Sequence, residues 1–110
     1  MSRLEVARES YRAYETGDRS AIERLIAEDF EFFSPPDPGI RRDLYFERCW
    51  PNRETIASFD FVRMIESGDE VIVTYELTKT DGRRFRNTEV LTIQDDQIVR
   101  AEVYFGWDVP

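Results

Sequence analysis

Apolar residues near the start of the chain recur at helical spacing. From Leu4 to Tyr14 they lie three or four residues apart, which predicts a helix over about 3–16. Ser2 with Glu5 three residues later has the pattern of a capping box. The chain therefore begins with an amphipathic helix, and its apolar face is a candidate wall of the core.

A second, shorter helix is predicted next, with Asp18 or Ser20 as its N-cap and Ile22, Leu25 and Ile26 on one face. Its brevity and its apolar face indicate that it packs against the same core as the first helix.

The following segment changes structure several times. Residues 30–34 predict a short strand, and 34–39 contain three prolines, which fix backbone angles and remove hydrogen-bond donors. This stretch is therefore expected to be a rigid loop. A third helix is predicted over about 42–49, with Pro51 as its stop.

The second half of the chain alternates apolar and polar residues with a period of two, as strands do. Four strands are predicted, over 56–66, 71–78, 85–93 and 98–105, the first with a bulge before Met64. Helices followed by antiparallel strands predict an α+β domain with a mostly antiparallel sheet.

Register at the Asp81–Gly82 turn decides which side chains share a face. A three-residue loop places Tyr75 opposite Asn87, whereas a two-residue turn places Glu76 there. We favour the three-residue loop because it gathers the apolar residues of the strands on one face, and a shift of one residue would destroy that segregation.

The same loop length at Asp95–Asp96 aligns Glu89 with Ala101 and Asn87 with Val103. Asn87 and Glu89 are then the only strongly polar residues on the inner face of three strands. A buried carboxylate without partners costs several kcal/mol. This polar pair is therefore the best candidate for a site.

Length and composition limit the alternatives. A chain of 110 residues predicts one domain, 1–110, with a thin core that a homodimer would extend. The net charge of −8 argues against nucleic acid and anionic membranes as partners. No apolar stretch reaches the length of a membrane span.

The chain has no histidine, which excludes histidine-based catalysis and histidine metal ligands. Cys49 is the single cysteine, so no intrachain disulfide forms, and it is expected to be a small buried apolar residue. We expect a cytoplasmic protein without metal or organic cofactor.

The order of elements resembles the nuclear transport factor two-like superfamily, which includes ketosteroid isomerases, limonene epoxide hydrolase and polyketide-cyclase-like proteins. The segments that carry the resemblance are Tyr14–Asp18, Glu28–Phe30, Asn87–Ile93 and Ile98–Gly106. The resemblance implies a cone-shaped, curved sheet wrapped around N-terminal helices, with an internal pocket. It also implies a homodimer formed through the outer sheet face.

Site positions match the family unevenly. Glu89 resembles the ketosteroid isomerase carboxylic acid that donates a hydrogen bond to the developing enolate. The position of the general base is occupied by Ser34, which cannot replace a carboxylate, and the helix-one tyrosine falls at Ser10. The epoxide hydrolase positions fall near Val73, Tyr75 and Val103, so that chemistry is rejected.

Glu89 is interpreted as an acid or base near neutral pH, and Asn87 as the residue that orients it or binds a ligand carbonyl. Both could instead be structural, with Glu89 bonded to a tyrosine and Asn87 to a backbone group. The expected ligand-binding residues are mostly aromatic: Tyr11, Tyr14, Tyr45, Trp50, Tyr75 and Val103.

The sequence thus predicts a protein that binds a small, largely apolar molecule with a carbonyl or hydroxyl group. If it is an enzyme, the reaction is cofactor-free proton transfer in an isomerisation, dehydration or cyclisation. The alternative is a non-catalytic ligand-binding or dimerisation module of the same fold, which the missing base at Ser34 favours.

Overall fold

The computed structural model describes residues 1–110 as three helices against one curved sheet. The helices are α1 (Arg3–Thr16), α2 (Arg19–Leu25) and α3 (Arg42–Arg48), and a 3₁₀ helix spans Trp50–Thr55. The strands are β1 (Ile26–Phe33), β2 (Pro38–Arg41), β3 (Ile56–Ser67), β4 (Glu70–Lys79), β5 (Arg84–Gln94) and β6 (Gln97–Val109). The predicted α+β cone is confirmed.

The sheet has the order β2-β1-β6-β5-β4-β3. All neighbours are antiparallel except β1 and β6, which are parallel. The parallel pair joins β1, from the first half of the chain, to the last strand. The first and second halves of the sequence therefore form one continuous curved sheet beside the helices.

Helix α1 has the predicted bounds. The Ser2 hydroxyl accepts a hydrogen bond from the Glu5 N–H at 3.1 Å, and Glu5 accepts one from the Ser2 N–H at 3.0 Å. Gly17 ends the helix at φ 71°, a conformation that glycine adopts without strain. The buried face carries Val6, Ala7 and Tyr11 into the core.

Strand β1 begins at Ile26, four residues before the predicted start. The backbone of Ile26 is already extended, and the residue pairs with Ile98 of β6. Sequence periodicity assigned Ile26 to the second helix because its side chain is on the apolar face of either element. The parallel partner, which is distant in sequence, decides the structure.

The proline-containing segments also differ from expectation. Pro38 and Gly39 belong to strand β2 rather than to a loop. Strand β2 is a sheet edge, where a missing N–H is tolerated. Pro51 does not stop the helical path, because it lies in the first turn of the 3₁₀ helix, where no N–H is required.

The β4–β5 hairpin has the favoured register. Tyr75 lies opposite Asn87, and Val73 lies opposite Glu89. Gly82 adopts φ 90°, as the bulged loop requires. The predicted bulge in β3 is also present, where the register shifts between Phe61 and Arg63.

The β5–β6 hairpin corrects the second register. Asp95 and Asp96 both have positive φ and form a tight two-residue turn, after which Val99 is an extra residue in β6. Glu89 therefore lies opposite Val103, not Ala101. The predicted register was shifted by two residues. Because side chains alternate with a period of two, Glu89 still lies on the predicted face of the sheet.

The core lies between the helices and the concave face of the sheet. Its most completely buried large side chains come from α1, α2, β1, β4 and β5: Val6, Ile22, Phe30, Val71, Val73 and Ile93. No helix is long and apolar enough to cross a membrane.

Candidate functional site

The concave face of the sheet and helix α1 enclose a cavity of about 300 Å³. Of its 22 lining residues, 17 are apolar or aromatic. The five polar ones are Ser10, Asn52, Thr55, Lys79 and Glu89. Glu89 is therefore the only acidic side chain in an apolar enclosure.

Glu89 reaches this cavity because β5 alternates and its neighbours Val73 and Val103 point to the same face. The side chain keeps partial exposure, and the surface that it exposes faces the cavity that it lines. Burial raises the pKa of Glu89 to about 6, and interactions with the hydroxyls of Tyr75 and Tyr11 partly offset the rise.

Tyr11 lies on the helix side of the same cavity. Its ring packs edge-on against Phe59 and Phe61, with centroids 5.0 and 5.3 Å away. Its hydroxyl is buried and forms no hydrogen bond of normal geometry, but it lies close enough to Glu89 to lower the pKa of that carboxyl group. Burial and the Glu89 charge raise the pKa of Tyr11, so the hydroxyl remains a proton donor.

Two further tyrosines lie across the cavity from the sheet. The hydroxyls of Tyr14 and Tyr45 are hydrogen-bonded to each other, and both residues line the cavity. Burial raises the pKa of both phenols. One hydroxyl of this pair donates and the other accepts, so the accepting hydroxyl keeps an O–H that can be donated to a ligand.

Trp50 does not line the cavity. Its ring packs against Tyr14 with centroids 5.0 Å apart, so it supports a wall from behind. The predicted contact between Trp50 and a ligand stays a prediction. Trp50 is the first residue of the 3₁₀ helix, which sequence analysis did not predict, and it is half-buried against the core. Tyr75 and Val103 do line the cavity.

Asn87 serves the backbone and Tyr75 rather than Glu89. Its amide oxygen accepts a hydrogen bond from the Gly106 N–H at 3.2 Å, and its amide nitrogen donates to the Tyr75 hydroxyl at 3.4 Å. Gly106 is the extra residue of a second bulge in β6, so its N–H lacks a strand partner. The structural alternative matches these bonds, and Asn87 does not line the cavity.

Sequence reasoning missed two lining residues that carry polar groups. Ser10 lines the cavity, with its hydroxyl donating to the Ala7 carbonyl at 2.7 Å. Lys79 lies at the end of β4 and follows Tyr75 and Leu77 on the inner face. The alternation of that strand, continued by two residues, would have found Lys79.

The loop after β1 supplies no second carboxylate. Ser34 does not line the cavity, and Asp37 forms an ion pair with Arg48 at 2.7 Å. Cys49 lines the cavity, and burial raises its pKa to about 11, which keeps the thiol protonated. Glu89 is thus the acid or base that the enclosure offers near neutral pH.

Several solved structures share this fold. One, from Kribbella flavida, superposes with TM-score 0.84 and 17% identity over 94% of this chain and 85% of that chain. A protein from the same organism, provisionally named a ketosteroid isomerase, gives 0.78 and 17% over 98% and 82%. A provisionally named polyketide cyclase from Sinorhizobium meliloti gives 0.76 and 16% over 94% and 99%.

No curated protein matches the chain. The family described as "SnoaL-like domain" matches residues 7–101, which include most of α1, all of α2 and α3, every cavity-lining residue except Val103, and most of the sheet. The chain therefore belongs to the SnoaL-like domain family of the nuclear transport factor two-like superfamily.

Proposed function

We propose that the cavity binds a small, largely apolar molecule that carries a carbonyl or hydroxyl group. The observation that supports this is the pairing of one carboxyl group, Glu89, with the unpartnered Tyr11 hydroxyl in an otherwise apolar enclosure. A buried hydroxyl without a partner costs about 1–3 kcal/mol. A ligand oxygen at this place would recover that cost.

The size and lining of the cavity suit such a ligand. A volume of about 300 Å³ is at the lower end of the range for small-molecule pockets, which are mostly apolar with few polar groups. Glu89 can donate a hydrogen bond when protonated or accept one when ionised. Tyr11 can donate to the same ligand oxygen.

The proposed chemistry is cofactor-free proton transfer in an isomerisation, dehydration or cyclisation, with Glu89 as the acid or base. With a pKa of about 6, roughly a tenth of Glu89 is protonated at pH 7, so both forms are available. A general acid or base works best when its pKa lies near the working pH. Two structural neighbours are provisionally named as an isomerase and a cyclase.

Binding is tested by thermal unfolding with a panel of small ketones and alcohols. A ligand at 100 times its dissociation constant adds about 2.7 kcal/mol of stability. We expect a rise in the midpoint for the wild type that is reduced in Glu89→Gln and in Tyr11→Phe. Glu28→Gln is the matched control, because Glu28 is exposed and does not line the cavity. An equal rise in all four proteins would contradict the proposal.

Catalysis is tested separately from binding, because the alternative is a binding module without turnover. A ketone that binds is incubated with the protein in D₂O, and exchange at the carbon beside the carbonyl is followed by NMR. Exchange that needs Glu89 supports proton transfer. Binding without exchange favours the non-catalytic module, which the absence of a second carboxylate near Ser34 would explain.

We also propose that the outer sheet face forms a homodimer. It carries large exposed apolar side chains, Ile65, Tyr104 and Trp107, beside Thr74 and Thr88. Exposed apolar surface of this kind is a feature of protein interfaces. We expect a dimer in sedimentation velocity and a monomer for Tyr104→Asp. A monomeric wild type at high micromolar concentration would contradict this.

A further inference from the structure

Lys79 is the only cationic side chain that lines the cavity. It is the last residue of β4, where it pairs with Ile56 at the start of β3, and it lies on the same face of β4 as Tyr75 and Leu77. Glu89, in contrast, lies opposite Val73 in the middle of the sheet. The cavity therefore has a cation at one end and a carboxyl group in its middle.

Two acidic side chains of this region, Asp81 and Glu76, are paired with arginines, whereas Asp108 lines an adjoining surface groove with Lys79 and forms no ion pair. Asp81 pairs with Arg83 at 2.8 Å, and Glu76 pairs with Arg84 at 2.7 Å. The Lys79 ammonium forms no ion pair and lies 5.8 Å from the centroid of the Phe85 ring, another lining residue. It is thus a free positive charge on an apolar wall, able to receive an anion.

We infer that the ligand is an elongated acid, with its carboxylate at Lys79 and its carbonyl or hydroxyl group at Glu89. This inference rests on the proposed function and adds a charge and an orientation to it. The ionised form of Glu89 repels a carboxylate, so the acid can enter in only one direction. An ammonium group is disfavoured at the Lys79 end because it would meet a like charge there.

The net charge of −8 does not prevent the binding of an acidic ligand in the cavity. Charges on the protein surface act weakly beyond about 8 Å at physiological ionic strength. The groove that adjoins this end of the cavity has three cationic side chains, Lys79, Arg83 and Arg84, and one acidic side chain, Asp108. A carboxylate would therefore meet positive charge where it enters.

The spacing sets the length of the ligand. Lys79 and Val73 are six residues apart on one strand, or about 20 Å at roughly 3.3 Å per residue. The side chains of Lys79 and Glu89 shorten the distance that the ligand has to span, to on the order of 10–15 Å. A linear chain of about ten carbons spans such a distance.

The test compares hydroxydecanoic acid, with the hydroxyl on its terminal carbon, and its methyl ester, by calorimetric titration. We expect the wild type to bind the acid about tenfold more tightly than the ester, as a charge-assisted hydrogen bond implies. Lys79→Met should remove this preference without weakening the ester, and Lys79→Arg should restore it. Arg8→Met, which removes one exposed charge outside the cavity, is the control.

Each outcome decides one question. A preference for the acid that is lost only in Lys79→Met supports the inference. Equal binding of acid and ester, still dependent on Glu89, overturns the inference and leaves the proposed function intact. Equal loss of the preference in Arg8→Met would show an effect of net charge alone and overturns it too. If neither compound binds, both this inference and the proposed function fail for this class of ligand.

Discussion

Replacing Glu89 by glutamine removes the only carboxyl group of the cavity and nearly preserves the shape of the side chain. Burial raises the pKa of Glu89 from 4.5 to about 6. One pKa unit corresponds to about 1.4 kcal/mol, so the ionised side chain costs the folded state about 2 kcal/mol. Because the pKa is higher in the folded protein, this cost is absent below about pH 4.5 and nearly complete by pH 7.

We therefore expect Glu89→Gln to be more stable than the wild type by up to about 2 kcal/mol at pH 7, with the gain vanishing toward pH 4. The assay is urea unfolding of both proteins at fixed protein concentration across pH 4–8. The difference between the two curves cancels the titration of all other groups. Glu28→Gln is run as the control for a lost surface carboxylate.

A difference that stays constant from pH 4 to pH 8 would refute this reasoning. The reasoning would also be refuted if the stability of Glu89→Gln relative to the wild type were lower at pH 7 than at pH 4. The second result would mean that ionised Glu89 is held by donors in the folded state, and that its role is structural.

Four further substitutions have defined outcomes in unfolding experiments. Tyr11→Phe removes a buried hydroxyl that forms no hydrogen bond of normal geometry but lowers the pKa of Glu89, so the two effects oppose each other and we expect stability at pH 7 to change by at most about 1 kcal/mol, while ligand binding weakens. Asn87→Ala leaves the Gly106 N–H unpaired and should cost about 1–3 kcal/mol. Gly106→Ala would place a Cβ 2.2 Å from the Arg86 carbonyl oxygen and should cost more than Asn87→Ala, as the urea midpoints would show. Ser2→Ala removes a helix cap and should cost about 1 kcal/mol at the thermal midpoint.

The sequence was most informative where a local signal agrees with long-range packing. Helix α1 has both an apolar face and complete caps, and its bounds were predicted to the residue. The register at Asp81–Gly82 was predicted because a wrong register would have mixed the two faces of the sheet.

Prediction failed where a distant partner decides the structure. The start of β1 depends on Ile98, which is some 70 positions away, and the proline-containing β2 is a strand only because it lies at a sheet edge. At Asp95–Asp96, no glycine indicates the turn type, and the two aspartates adopt positive φ themselves. Local pattern contains none of this information.

The site shows the same division. Glu89 was found because a carboxylate on an apolar strand face is conspicuous. Asn87 was placed on the correct face, but its partners depend on the bulge at Gly106, which no pattern predicts. Trp50 begins a 3₁₀ helix that was not predicted, because Pro51, which lies in the first turn of that helix, was expected to end the helical segment.

The most direct test of the central claim is a crystal structure with a ketone or alcohol that raises the unfolding midpoint. We expect its oxygen within about 3.2 Å of both the Glu89 carboxyl group and the Tyr11 hydroxyl, as hydrogen bonds require. The claim would be contradicted by a ligand that binds outside the cavity while Glu89 and Tyr11 are hydrogen-bonded to each other.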